Sequence, residues 1–273
     1  MRKRVKIYDG CFAHAKYTTD FQESKYIVWD REMEDTNDDP IFYTDSLFNR
    51  VSGEVNNKYA MLLEPPSLAP GNYEYLKENN HLFNKVLTYN KDMLDLGDKY
   101  VFYPYGGCWI EPEEQKIYNK SRLCSIVASG KRDTVGHRLR HEVISHLGGS
   151  IDLYGRGYNP IANKISALQE YMFSITIENT KMDYYFTEKL IDCFRTGTVP
   201  IFYGCPSIGD FFDVDGMVIV DNLEDITYVM GQINTSFYES KKDNIKSNFE
   251  EAYKYIIAED WIYENTDILC DKI

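Results

Sequence analysis

The chain has 273 residues, with 30 Lys and Arg against 43 Asp and Glu, a formal net charge of −13. Such an acidic balance argues against a nucleic-acid partner and against adsorption to an anionic membrane. The length leaves room for two domains that each bury a core. No run of about eighteen apolar residues occurs, and Met1-Arg-Lys-Arg-Val-Lys-Ile-Tyr-Asp9 is basic without an apolar stretch behind it. Neither a membrane span nor an export signal is expected, and a cytoplasmic protein is. Cys11, Cys108, Cys124, Cys193, Cys205 and Cys270 form no CxxC pair and have no His at ligand spacing, so reduced, mostly buried thiols are expected. Nothing in the pattern sets an oligomeric state.

In chain order, Val5–Tyr8, Tyr26–Trp29, Tyr59–Leu63, Lys85–Thr88 and Tyr100–Tyr103 are apolar, β-branched or aromatic runs broken by Asp, Asn, Gly and Pro, and read as strands. A second series follows at Cys124–Ala128, Ile151–Tyr154, Met172–Ile177, Val199–Tyr203 and Met217–Val220, with helices at about 138–147, 187–196 and 223–233. The tail from Ser236 to Trp261 places Phe249, Tyr253, Ile256 and Ile257 at helical spacing, as one or two helices on the second domain or crossing back to the first. Two βα series predict an α/β protein of two Rossmann-like domains with parallel sheets facing a cleft. The polar segment Glu111–Lys120 sets the expected boundary, residues 1–117 and 118–273. Segments 31–40 and 65–82 read as loops that shape the cleft.

Two places concentrate chemistry. Thr187 can cap a helix whose first turn holds Glu188 and Lys189, with Leu190, Ile191 and Phe194 as its buried face and Thr196-Gly197 as its stop. A helix start exposes N–H groups and attracts anions, and a lysine there adds a full charge. The other is Lys131-Arg-Asp-Thr-Val-Gly-His-Arg-Leu-Arg-His141, a basic concentration in an acidic chain. An arginine fork there can bind two phosphate oxygens; a solvated helix face is the competing reading.

The stretches Ile177-Glu178-Asn179-Thr180, Tyr185-Phe186-Thr187-Glu188-Lys189 and Gly197-Thr198-Val199-Pro200 resemble, in order and spacing, the donor motif of the α1,3/4-fucosyltransferases, glycosyltransferase family 10. Ile177, Thr180 and Phe186 depart mildly from it. The resemblance is strong over residues 122–222, faint over 58–107, and absent from the first fifty and last forty. It implies a GT-B fold and a soluble, bacterial- or viral-type enzyme that moves L-fucose from GDP-fucose to a hydroxyl of a glycan acceptor, with inversion. By matching position, Lys189 would bind phosphate, Glu188 the ribose hydroxyls, and Asn179 and Tyr185 the nucleoside end or the sugar. Arg140, with Val143 and Leu147 three and seven residues on, matches the family's phosphate arginine. Arg138 is the reserve if the register shifts.

Inversion also needs a general base for the acceptor hydroxyl, best a carboxylate held at the cleft and partly desolvated so that its pKa moves toward neutrality. Glu64 directly follows an apolar strand, precedes Pro65-Pro66, and resembles the acid of the family's acceptor domain; Asp9, Glu74 and Asp92 are alternatives. No metal or cofactor is expected. Asp213-Val214-Asp215 has an Asp-X-Asp form but precedes a strand beside Gly216, which reads as a turn. His14, His81, His137, His141 and His146 have no ligand partner at convincing spacing. Another donor, a retaining outcome, or a sugar-nucleotide-binding module without activity remain as alternatives.

Overall fold

A computed structural model describes residues 2–269 apart from Asp20, Asn37, Glu54 and Val55, so Cys270 lies outside the described residues. Strand-forming runs of the first hundred residues assemble one sheet: β1 Lys3–Tyr8, β2 Ile27–Asp30, β3 Ile41–Thr44, β4 Lys58–Leu62, β5 Lys85–Thr88 and β6 Tyr100–Phe102, in the order β2-β1-β3-β4-β5-β6. Every pairing is parallel. All residues of β3 and β4 are buried, as expected for central strands covered on both faces. β3 has no counterpart in the expected strands: Ile41-Phe-Tyr-Thr is short and follows directly on the Asp- and Asn-rich loop and Pro40, which masked it. The expected loop 65–82 also contains a helix, α1 Pro70–Asn79, started by proline at its first position. It buries only Tyr73 and Leu76, so its periodicity is faint. A four-residue turn of helix, α2 Lys91–Leu94, precedes β6.

The second sheet is built from β7 Arg122–Val127, β8 Asp152–Tyr154, β9 Tyr171–Ile177, β10 Val199–Tyr203 and β11 Val218–Ile219, in the order β11-β10-β9-β7-β8 and again all parallel. Its helices are α3 Val135–Leu147, α4 Glu188–Phe194, α5 Leu223–Met230, α6 Thr235–Glu239 and α7 Lys242–Glu251. Ile126, Ile175 and Ile201 of the three central strands meet Leu139 and Val143 of α3 and Ile226 of α5 in one core. Both sheets therefore match the α/β expectation.

The last helix, α8 Ala258–Asn265, packs with the first sheet: Ala258 and Ile262 share a cluster with Val5, Ile7, Ile27 and Trp29. Its buried Glu259 accepts hydrogen bonds from the Trp29 indole Nε1 and the Thr18 N–H, both at 2.8 Å. The chain thus divides into two compact units, Met1–Gly107 with Ile257–Ile273, and Cys108–Ile256. The polar segment Glu111–Lys120 lies inside the second unit. No helix among the described residues is long and apolar enough to cross a membrane. Cys11, Cys108, Cys124, Cys193 and Cys205 are free thiols, all buried except the half-buried Cys11.

Candidate functional site

β9 is buried over all seven residues and lies between β10 and β7, so its C-terminal end delivers the next residues to the middle of the sheet edge. The first of them is Glu178, fully buried. One of its oxygens accepts the Thr187 N–H at 2.8 Å and the Thr187 hydroxyl at 2.9 Å; the other meets Lys189 Nζ at 3.2 Å. Glu178 therefore ties the end of β9 to the start of α4. The sequence reading included it in a motif but gave it no role. An acid that directly follows an apolar central strand needs a buried partner, and that signal was available.

Thr187 caps α4 in extended conformation, and Lys189 Nζ also reaches its hydroxyl at 2.9 Å. Lys189 lies 3.3 Å from Glu188, which Lys164 approaches at 3.9 Å. Lys164 in turn pairs with Asp192 at 2.6 Å and sits 5.3 Å from the Trp109 ring centroid, while the Trp109 N–H bonds to Asp192 at 2.7 Å. Glu188 and Asp192 are four apart on one helical face, where two acids repel unless a cation sits between them; Lys164 is that cation. Burial pushes the Glu188 carboxyl up, but Lys189 and Lys164 outweigh it and hold it down at about 2. Asp192 is raised by burial in spite of Lys164. The helix is shorter than expected, only seven residues. A helix of two turns offers little dipole, so charge here resides in side chains.

α3 approaches the same strand end. Thr134 caps it reciprocally: its hydroxyl accepts the His137 N–H at 3.1 Å, and His137 Nδ1 accepts the Thr134 N–H at 3.3 Å. Burial and then the Arg140 charge lower the His137 pKa to about 4, so the ring is neutral and can act as acceptor. Gly136 makes the approach possible: its N–H bonds the Asn179 carbonyl at 3.1 Å, and a Cβ there would stand 1.8 Å from the Glu178 carbonyl oxygen. One turn on, the buried Arg140 guanidinium donates to the Ile177 carbonyl and, at 3.0 Å, to the Asn179 side chain. Burial lowers its pKa, opposed by Glu178 and Glu188.

Five of the expected donor residues are thus brought to one strand end. Arg140 pairs with Asn179 and Lys189 with Glu188; Glu178, which Lys189 contacts and whose charge acts on Arg140, stands between the two pairs, and Tyr185, only 2% exposed, also acts electrostatically on Arg140. Arg138 is on the exposed side of α3 and donates to the Arg132 and Asp133 carbonyls, both at 3.3 Å, which staples the preceding loop. Lys164, Asp192 and Trp109 were not found from sequence, because their partners lie far off in the chain.

Glu64 belongs to the first unit. It is half-buried just after β4; its N–H bonds Asp45 at 3.2 Å and its carbonyl accepts the Tyr73 hydroxyl at 3.0 Å. Asp9 takes the Cys11 and Phe12 N–H groups and pairs with Arg31 at 2.6 Å, a turn-forming role. Glu74 lies on α1 and is exposed, as is Asp92 on α2. Asp213 is a turn residue, accepting from the Asp215 N–H at 3.0 Å and the Asn244 amide at 2.7 Å. Among the described residues no three His, Cys, Asp or Glu side chains group as metal ligands.

An α-(1,3)-fucosyltransferase of Helicobacter pylori is 28% identical over 109 residues, 40% of this chain and 22% of its own length. A putative fucosyltransferase-like protein of Arabidopsis thaliana is 35% identical over 80 residues, 28% of this chain and 16% of its own. The chain thus matches less than a quarter of either relative's length. Among solved structures, an α1,3-fucosyltransferase with GDP superposes with TM-score 0.55 at 17% identity, covering 100% of this chain and 94% of that one. TarM superposes with TM-score 0.60 at 11% identity over 88% of this chain and 56% of its own. These likenesses establish the GT-B fold. The model of the C-terminal part of glycosyltransferase family 10 (fucosyltransferase) matches residues 117–270, and the chain belongs to that family.

Proposed function

We propose that the protein is an inverting, metal-independent fucosyltransferase that takes L-fucose from GDP-fucose and passes it to a hydroxyl of a glycan acceptor. The observation that carries the reading is that two polar pairs, Lys189 with Glu188 and Arg140 with Asn179, stand at the end of β9 on the positions of the family motif. In this reading Lys189 and Arg140 take the diphosphate as charge-assisted donors. Glu188, held ionised by Lys189 and Lys164, accepts the ribose hydroxyls. As the bond from the anomeric carbon to the diphosphate breaks, negative charge grows on the leaving oxygen, where two fixed cations stabilise it. Glu64 takes the proton of the attacking hydroxyl. A cytoplasmic setting belongs to the same proposal and accords with the free thiols.

The test is nucleotide release from a panel of GDP- and UDP-sugars with glycan acceptors, with and without EDTA, and the anomeric configuration of the product. GDP-fucose turnover unaffected by EDTA, with an inverted product, supports the proposal. Turnover of a UDP-sugar alone moves it to another donor, a retained configuration changes the mechanism, and binding without transfer reduces the protein to a binding module.

A further inference from the structure

The backbone around Glu64 is held by side chains rather than by a neighbouring strand. Asp45 follows β3 with φ of 28°, in the left-handed region that a non-glycine residue enters at a cost. Its carboxylate, only 3% exposed, accepts the Leu63 N–H and the Glu64 N–H, each at 3.2 Å, and the Cys11 thiol at 2.8 Å. The carbonyls of the same two residues are also occupied: Tyr89 donates to Leu63 at 2.8 Å and Tyr73 to Glu64 at 3.0 Å. Both peptide groups at the end of β4 are therefore pinned before Pro65 turns the chain, and one anchor is a buried acid beside Glu64.

We propose that Asp45 is the positioning residue for Glu64: it fixes the Leu63–Glu64 backbone and sets a second negative charge against the Glu64 carboxylate, which strengthens Glu64 as a base. The proposal rests on the base role given to Glu64 above. A like charge at close range disfavours ionisation of both acids, so protons leave the pair in coupled steps. Burial raises Asp45 to about 6; the Cys11 thiol and the two N–H groups oppose the rise, and Glu64 adds to it. The other groups facing Asp45 are the Tyr73 hydroxyl from α1 and the Tyr103 hydroxyl after β6, both raised chiefly by burial with a smaller contribution from the Asp45 charge.

Asp45→Asn tests this, because an amide oxygen still accepts the two N–H groups while the charge is gone. Two readouts are needed on the full chain: the Glu64 carboxyl titration by carbon-13 NMR, assigned with Glu64→Gln, and the pH profile of GDP-fucose turnover. In Asp45→Asn the Glu64 pKa is expected to fall by about one unit, the acid limb of kcat to move down with it, and kcat to fall about tenfold. KM for GDP-fucose should stay within about twofold. A Glu64 titration identical to that of the unmutated protein overturns the proposal. If Asp45→Asn fails to fold, Cys11→Ala removes only the thiol donor, which keeps Asp45 protonated to higher pH and should move the Glu64 titration downward; no movement overturns the proposal as well. Full turnover by Glu64→Gln would instead sink the base assignment, whatever the NMR shows.

Discussion

Two strand ends in this protein carry buried acids, and they treat them oppositely. At the end of β9, Glu178 and Glu188 stand against Lys189 and Lys164, with Arg140 nearby, and Glu188 is held down at about 2. At the ends of β3 and β4, Asp45 has two N–H groups and a thiol as partners, lies beside another acid, and is pushed up to about 6. Both places sit at the carboxyl edge of a parallel sheet, where α/β folds put their chemistry. Topology therefore selects the place, and the neighbouring charge selects the task. In the proposed function, cations fit one edge to a diphosphate, while burial, opposed by N–H and thiol groups rather than by a cation, fits the other to a proton.

The sharpest way to break the contrast is to remove a cation. Lys189→Ala is expected to weaken GDP-fucose binding about 100-fold, the worth of a charge-assisted contact to phosphate. It should also destabilise the fold by about 3 kcal/mol, since Glu178 loses a partner while buried; calorimetric titration and thermal melting read the two effects. Arg140→Ala should cost binding about 30-fold, whereas Arg138→Ala, on the exposed side, should stay within about twofold. The reverse order would place the phosphate arginine at 138.

Smaller effects come from pH. Glu188 is depressed from 4.5 to about 2, so the stability it contributes is complete above its unfolded pKa and is lost as pH falls through 4.5 toward 2. Asp45 is raised from 3.8 to about 6, so its contribution is complete below 3.8 and is lost as pH rises through 6. Each shift amounts to about 3 kcal/mol at most. Denaturant midpoints followed against pH should lose the acid-side fall in Glu188→Gln and the fall between pH 4 and 6 in Asp45→Asn. Unchanged profiles would show that folding shifts neither acid.

Much of the second sheet was legible because its strands are long apolar runs separated by polar turns, and β10 matches its expected span residue for residue. The placing of Asn179, Glu188 and Lys189 at one strand end was legible because a motif preserves their short-range order, and that of Arg140 from its spacing to Val143 and Leu147 along α3. β3 was hidden by its brevity, and α1 by burying too few residues to imprint a period. Lys164, Asp192 and Trp109 escaped for a different reason. Trp109 precedes Asp192 by 83 residues, and no local pattern announces which distant side chain will share a buried site. Asp45 escaped likewise: its partners Cys11 and Glu64 come from other strand ends, and only the sheet order β1-β3-β4 brings them together.

In the proposed function, the polar groups at the end of β9 bind the diphosphate of a guanosine nucleotide. Calorimetric titration of GDP and UDP into the unmutated protein and the Lys189→Ala, Arg140→Ala double variant tests it most directly. GDP is expected to bind the unmutated protein more tightly than UDP, and its binding to disappear in the double variant. GDP binding of equal strength in both proteins would contradict it.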